Sequence, residues 1–228
     1  MATKTTAQSN GLNGSKEHVN RLPVEQKVQI TRPKWTTAEF RIVGTAPYCQ
    51  NAFSQKALNQ IKETQLADSQ AKARKKREPK DFQACYEAAM HKTAEGWPGI
   101  PATAFRNAMI DACRLVGFKM THAKLAVFIE ADGYDALDHT PLVKIEGEPQ
   151  YSESFVRPQA SGVDIRPRPL WPTWKATVRI KFDGEQFSLL DMTNLVYRAG
   201  EQVGIGEGRP NSPNSNGLGW GTFTLESE

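Results

Sequence analysis

The sequence predicts an α+β fold in which two helices lie against an antiparallel sheet. Three observations carry this. Residues 175–182, Lys-Ala-Thr-Val-Arg-Ile-Lys-Phe, alternate strictly between polar and apolar, the pattern of a half-buried strand. Residues 101–117 and 188–200 each carry apolar side chains at helical spacing, and each ends on a glycine. Around them, strand-like runs fall in the order strand, helix, strand, strand, helix, strand.

Each element has its own local reason. Residues 1–20 are rich in Thr, Ser, Asn, Gln and Gly and read as a disordered arm; residues 21–33 are an extended lead-in. A single domain then runs over 34–228. Residues 38–45 are the first strand, with Phe40 and Ile42 on one face and Glu39, Arg41 and Val43 on the other; Pro47 ends it. Residues 48–98 form a long polar insertion with helical pieces at 57–78 and 81–92, a mobile element rather than core. Ile100 and Pro101 open the first helix, where a first-turn proline is tolerated. Its buried stripe is Phe105, Met109, Ala112, Cys113 and Val116, and Gly117 ends it. Residues 123–130 are the second strand, with Leu125, Val127 and Ile129 on one side. Residues 132–172 are proline-rich and irregular, with short strands at 142–146 and 154–157.

In the third strand Ala176, Val178, Ile180 and Phe182 face the core, and Lys175, Thr177, Arg179 and Lys181 face outward. Asp183-Gly184 is a turn signal. Ser188 caps the second helix with Asp191 as its reciprocal partner. Leu190, Thr193, Val196 and Tyr197 form its inner stripe, and Gly200 closes it. Residues 220–225 are the last strand. Without its two large irregular insertions, at 48–98 and 132–172, the chain is βαββαβ, the ferredoxin-like order that RRM-type RNA-binding domains share.

At 228 residues the chain is long enough for one sizeable core. The formal net charge of +4 is modest but uneven. Lys72, Arg74, Lys75, Lys76 and Arg77 form one dense basic run; Arg157, Arg166, Arg168, Lys175, Arg179 and Lys181 form a second region. The balance favours a polyanionic partner such as nucleic acid; a merely solvated face is the plain alternative. The three cysteines are odd in number and widely spaced, which argues against a disulfide framework and fits a reducing cytoplasm. Cys85 and His91 are too few for a zinc site, and His18, His122 and His139 add no ligand spacing, so neither metal nor cofactor is expected. No apolar run is long enough to span a bilayer, and the N-terminus lacks the apolar core of a signal peptide.

The run Gly204-Ile205-Gly206-Glu207-Gly208-Arg209 follows the second helix. Bare backbone N–H groups beside an arginine can hold a phosphate; a ligand-free connection uses the same residues. A P-loop and a dinucleotide fingerprint are both excluded, because each runs from strand to helix and this segment runs from helix to strand.

Three features carry a family resemblance. Gly99-Ile100-Pro101-Ala102-Thr103-Ala104-Phe105-Arg106 resembles the start of the first helix in the RAMP superfamily, the RRM-like proteins that form the backbone of CRISPR effector complexes, with Arg106 at its basic position. Gly204 to Arg209, continuing through Gly217-Leu218-Gly219-Trp220-Gly221, resembles that family's glycine-rich loop and entry to the last strand. The two insertions fall where the family places its variable projections. Ala102-Thr103-Ala104 departs from the family's glycine–serine run, and Pro210 to Asn216 interrupts its compact loop. The resemblance spans residues 38–226.

The resemblance implies single-stranded nucleic-acid binding by copies arranged head-to-tail, in company with effector subunits. Members that cut RNA use an aspartate after the first strand. Here that loop reads Ala46-Pro47-Tyr48-Cys49-Gln50-Asn51, so binding is carried over and cleavage is not. The predicted contact set is Arg41, Lys72, Arg74, Lys75, Lys76, Arg77, Thr103, Arg106, Arg166, Arg168, Trp171, Lys175, Arg179, Lys181, Gly204, Gly206, Gly208 and Arg209. Phe128, Trp171, Trp174 and Trp220 are the candidates for stacking on bases, Trp174 reading better as a core anchor. RNA and single-stranded DNA both stay open, the latter for a stand-alone phage-type binding or annealing protein. A nuclease using Glu207 or His122 and a filament-joining inhibitor are further alternatives.

Overall fold

The computed structural model describes residues 30–52, 59, 62, 79–156, 164–212 and 218–227. The chain divides into two units, Met1–Arg32 and Pro33–Glu228, and every helix and strand of the described residues belongs to the second. The basic run from Lys72 through Arg74, Lys75 and Lys76 to Arg77, all of the helical piece at 57–78 except residues 59 and 62, and the N-terminal arm at 1–20 lie outside the described residues.

The protein is a mixed α/β structure with antiparallel sheets and few helices. Strand β1 (Trp35–Gly44) pairs along its length with β9 (Lys175–Asp183), from Trp35 opposite Asp183 to Val43 opposite Lys175. The last strand, β10 (Phe223–Leu225), lies on the free edge of β1. The other edge of β9 is divided. Strand β4 (Val127–Glu130) takes its second half, and β6 (Pro141–Glu146) takes Lys175 and Ala176. Short strands β3 (Gly99–Pro101) and β5 (Gly133–Tyr134) extend β6. A second sheet runs β2 (Tyr48–Cys49), β8 (Asp164–Trp171), β7 (Gln150–Val156).

One face of the main sheet buries Phe40, Ile42, Ala176, Val178, Ile180 and Phe182. Helices α2 (Ala102–Leu115) and α4 (Leu189–Arg198) cover it: Phe105, Met109 and Val196 close on Ile42, Val178, Ile180 and Phe223. Ala102, Ala108 and Ala112 alternate with the bulkier Phe105, Met109 and Ile110 on the buried face of α2.

Several expectations need correction. The second strand begins later than the alternation implied, because Met120–Ala126 is helix α3. Ala123 and Ala126 are buried one turn apart while Leu125 is 75% exposed, so the apparent alternation crosses a helix–strand border. Residues 120–126 are mostly good helix formers, whereas Val127, Phe128 and Ile129 are strand formers. In α2, Pro101 is the N-cap, its residue being the last of β3, and Val116 is exposed beyond the helix end.

In α4 the inner stripe is rotated. Met192, Leu195 and Val196 are buried, while Leu190 is 68% exposed and Tyr197 faces solvent. The Ser188–Asp191 capping box is present as expected. The chain then widens into a π-turn, Ala199–Val203, that continues the buried face. Gly200 sits inside that turn, where a Cβ would lie 2.1 Å from the Phe223 carbonyl oxygen. It permits close packing on β10 rather than ending the helix.

The insertions contribute core. Tyr48, Cys49 and Met90 are buried, and helix α1 (Phe82–Glu87) is capped by Asp81, which accepts from Ala84 N–H at 3.0 Å. Residues 132–172 supply β5 to β8 rather than irregular chain. Pro167 and Pro169 fit β8 because Pro169 turns its carbonyl toward Gln50, on the β2 side, where β2 pairs only Leu170 and Trp171. The missing N–H groups fall on a largely unpaired edge, where proline is tolerated.

Candidate nucleic-acid interface

Strand parity decides what the open face of the main sheet shows. Lys175, Thr177, Arg179 and Lys181 stand on it, and register places Arg41 opposite Thr177, Glu39 opposite Arg179 and Thr37 opposite Lys181. Strand β4 adds Phe128 opposite Lys181 and Glu130 opposite Arg179. Trp35, at the start of β1, has the same parity as Thr37.

At one end these residues form a cluster. Trp35 and Phe128 meet edge to face, with ring centroids 5.5 Å apart at 74°. The Lys181 ammonium lies 5.3 Å from the Trp35 ring centre and the Arg106 guanidinium 5.1 Å from that of Phe128. The two rings are 41% and 38% exposed. Arg106 reaches there from α2, around edge strand β4, by donating to the Val127 carbonyl at 2.9 Å and to the Lys124 carbonyl. Thr103 is exposed in the first turn of the same helix.

The other cations that β1 and β9 place on this face are paired. Arg179 binds Asp132 at 2.6 Å and lies 3.7 Å from Glu130. Arg41 pairs with Glu226 and, at 3.7 Å, with Glu146, while Lys175 also pairs with Glu226. The hydrogen bond from Lys175, reinforced by Arg41, holds the Glu226 carboxyl below the usual carboxylate range. Among the described residues Lys181 has no carboxylate partner.

The glycine-rich run is used differently from a phosphate cradle. Gly204, Gly206 and Gly208 all have positive φ, but Ile205 N–H donates to the Gly221 carbonyl at 3.0 Å and Glu207 N–H to the Cys49 carbonyl at 2.9 Å. A Cβ on Gly206 would lie 2.5 Å from that same Cys49 oxygen. Arg209 turns back to donate to the Gly206 carbonyl at 3.0 Å. The loop latches the main sheet to the second one, and two of its donors are thereby occupied.

Two predicted contact residues are interior. Trp171 is fully buried against Tyr48, ring centres 5.6 Å apart, and presents no face to a base. Arg168 is buried and donates to the Glu207 carboxylate at 2.8 Å, making a second fastening between β8 and the loop. Arg166 is half-exposed in a pair with Asp164. Trp174 is a core residue whose Nε1–H donates to the Ala46 carbonyl at 2.9 Å. Trp220 packs on Gly208.

Trp35 was absent from the predicted contact set. Extending the outward parity of Glu39 and Arg41 back to Trp35 would have found it. Burial pushes the Cys49 thiol up to about 12 and also raises Cys113, which disfavours the thiolate at both. Among the described residues no helix is long and apolar enough to cross a membrane. No protein-family model matches the chain, and no curated protein matches it.

Proposed function

We propose that this protein binds single-stranded nucleic acid without cleaving it, through the open face of its main sheet. The observation that carries this is the solvent-facing Trp35–Phe128 pair flanked by Lys181 and Arg106. Exposed aromatic faces stack bases irrespective of sequence, at about 1–3 kcal/mol each, and neighbouring cations follow the phosphates. Phosphate contacts position a strand without reading it, so binding is sequence-tolerant.

The finer fold reading supports the same conclusion. Strand order β10-β1-β9-β4, all antiparallel, with α2 between β1 and β4 and α4 between β9 and β10, favours a ferredoxin-like βαββαβ frame of RRM type. The RAMP resemblance adds head-to-tail assembly of copies along one strand, which stoichiometry rising with oligonucleotide length tests.

The test of the face itself is fluorescence anisotropy with labelled single-stranded RNA, single-stranded DNA and duplex. Trp35→Ala and Lys181→Ala are each expected to weaken single-strand binding, Trp35→Ala by at least about fivefold given the stacking energy. Equal, weak binding to all three probes, unchanged in both variants, overturns the proposal. The stronger of the two single-strand probes assigns RNA or DNA.

A further inference from the structure

The segments after α1 and after β4 bring three potential metal ligands together. His91 Nδ1 lies 2.8 Å from Asp135 Oδ2, and ligand atoms of His91, Asp135 and Asp138 all fall within 4.8 Å of one another. These three come from residues 91, 135 and 138, a spacing with no sequence motif to announce it.

Each is held through the backbone. The Gln50 side chain accepts from His91 N–H at 3.0 Å. Asp135 Oδ1 accepts from Leu137 N–H at 2.7 Å, and Asp138 Oδ1 from Thr140 N–H at 2.9 Å. Asp135 N–H in turn donates to the Thr140 carbonyl at 2.8 Å, closing the loop. His91 and Asp135 alone make an ordinary part-buried hydrogen-bonded pair. Thr93 makes the arrangement unusual. It stands directly across an antiparallel bridge from Asp135, so the two side chains share one face. Its residue is 6% exposed, and its Oγ1 is buried with no hydrogen-bond partner among the described residues. Buried hydroxyls are normally satisfied, so an orphan beside a His–Asp–Asp cluster points to a missing ligand.

We propose that His91, Asp135 and Asp138 bind a divalent transition-metal ion, with Thr93 as a neutral oxygen donor directly or through water. One imidazole and two carboxylates suit Zn²⁺ or Mn²⁺ better than the all-oxygen shells of Ca²⁺ or Mg²⁺. Bonds of about 2.0–2.2 Å on a tetrahedral ion put ligand atoms about 3.3–3.6 Å apart, so the 2.8 Å His91–Asp135 pair opens slightly and the longest pair, within 4.8 Å, closes by up to about 1.5 Å. Exposed Asp138 is free to supply that movement. The ion would tie the insertion after β2 to the one after β4, independently of any nucleic-acid contact.

The experiment uses the full chain, stripped with chelator and free of any affinity tag, melted with and without ZnCl₂, MnCl₂ and MgCl₂. Zn²⁺ or Mn²⁺ at about 1 mM is expected to raise the midpoint by several degrees, with Mg²⁺ ineffective. Asp138→Asn, a change at an exposed position, is expected to fold with an unchanged metal-free midpoint and to bind the ion at least tenfold more weakly by calorimetry. No rise with either transition ion, or an equal rise and equal affinity in Asp138→Asn, overturns the site.

Discussion

Gly206 holds φ at +76° with the Cys49 carbonyl oxygen where a Cβ would need to be. Gly96 also has positive φ, +89°, but nothing lies within 4 Å of its absent Cβ. The two positions separate backbone strain from close approach. Gly96→Ala is expected to cost about 1 kcal/mol, the penalty of the left-handed region alone. Gly206→Ala adds displacement of a backbone carbonyl and should cost at least about twice as much, lowering the melting midpoint by about 4 °C or more in a domain this size. Equal midpoints for the two variants would show that the latch on Cys49 is slack. The glycine-rich run at Gly204–Gly208 was legible in the sequence as a place where the chain bends and comes close to a neighbour. Its use as a fastening was not, because it depends on β2 and β8, whose residues lie far away in the chain. Trp171 was misjudged for the same reason: a tryptophan among prolines and arginines reads as a surface aromatic until Tyr48 is brought over it.

Helix α4 shows which elements local chemistry specifies and which it does not. Ser188 Oγ accepts from Asp191 N–H at 3.1 Å and the Asp191 carboxylate accepts from Ser188 N–H at 2.9 Å, the reciprocal cap that the sequence spells out. Ser188→Ala should lower stability by about 1 kcal/mol, read as a fall of about 2–4 °C in midpoint. The hydrogen bond from Ser188 holds the Asp191 carboxyl below its ordinary range. A carboxyl lowered by folding stabilises the protein above its unfolded pKa, near about 4, and loses that contribution as pH falls through the lowered value. The gap between wild type and Ser188→Ala is therefore widest near neutrality and narrows below about pH 4; a gap that widens on acidification would refute the cap's charge. Strand β9, spelled out by strict alternation, was read correctly along its whole length. Helix α3 and the α4 stripe were not. In α3, apolar residues at 125, 127 and 129 satisfy a strand pattern while Ala123 and Ala126, small and easily overlooked, carry the burial. In α4 the buried residues are Met192, Leu195 and Val196, and the π-turn after the helix continues that face at Ala199, Gly200 and Val203, which no propensity signals.

Among the described residues, the cations that β1 and β9 place on the main sheet's open face are each answered by an acid, save Lys181 at the aromatic end. This pairing was invisible in the sequence, since Glu226 is distant from Arg41 and Lys175 along the chain and joins them only because β10 lies along β1. Glu226 N–H donates to the Arg41 carbonyl at 2.9 Å, which fixes its side chain between the two cations. On the proposed binding mode, this one carboxylate bridging two cations on adjacent strands occupies the position a strand phosphate would take. A polyanion crossing this face would then have to displace Glu226 from Arg41 and Lys175. Glu226→Gln should therefore tighten single-strand binding severalfold at low salt. It should also change the salt dependence: each phosphate newly neutralised adds about 0.7 to the slope of log affinity against log salt, so up to about 1.4 is expected from Arg41 and Lys175 together. Trp35→Ala is expected to weaken binding without altering that slope, because stacking releases no counterions. If Glu226→Gln leaves both affinity and slope unchanged while Trp35→Ala still weakens binding, the strand occupies the aromatic end and does not extend across to β10.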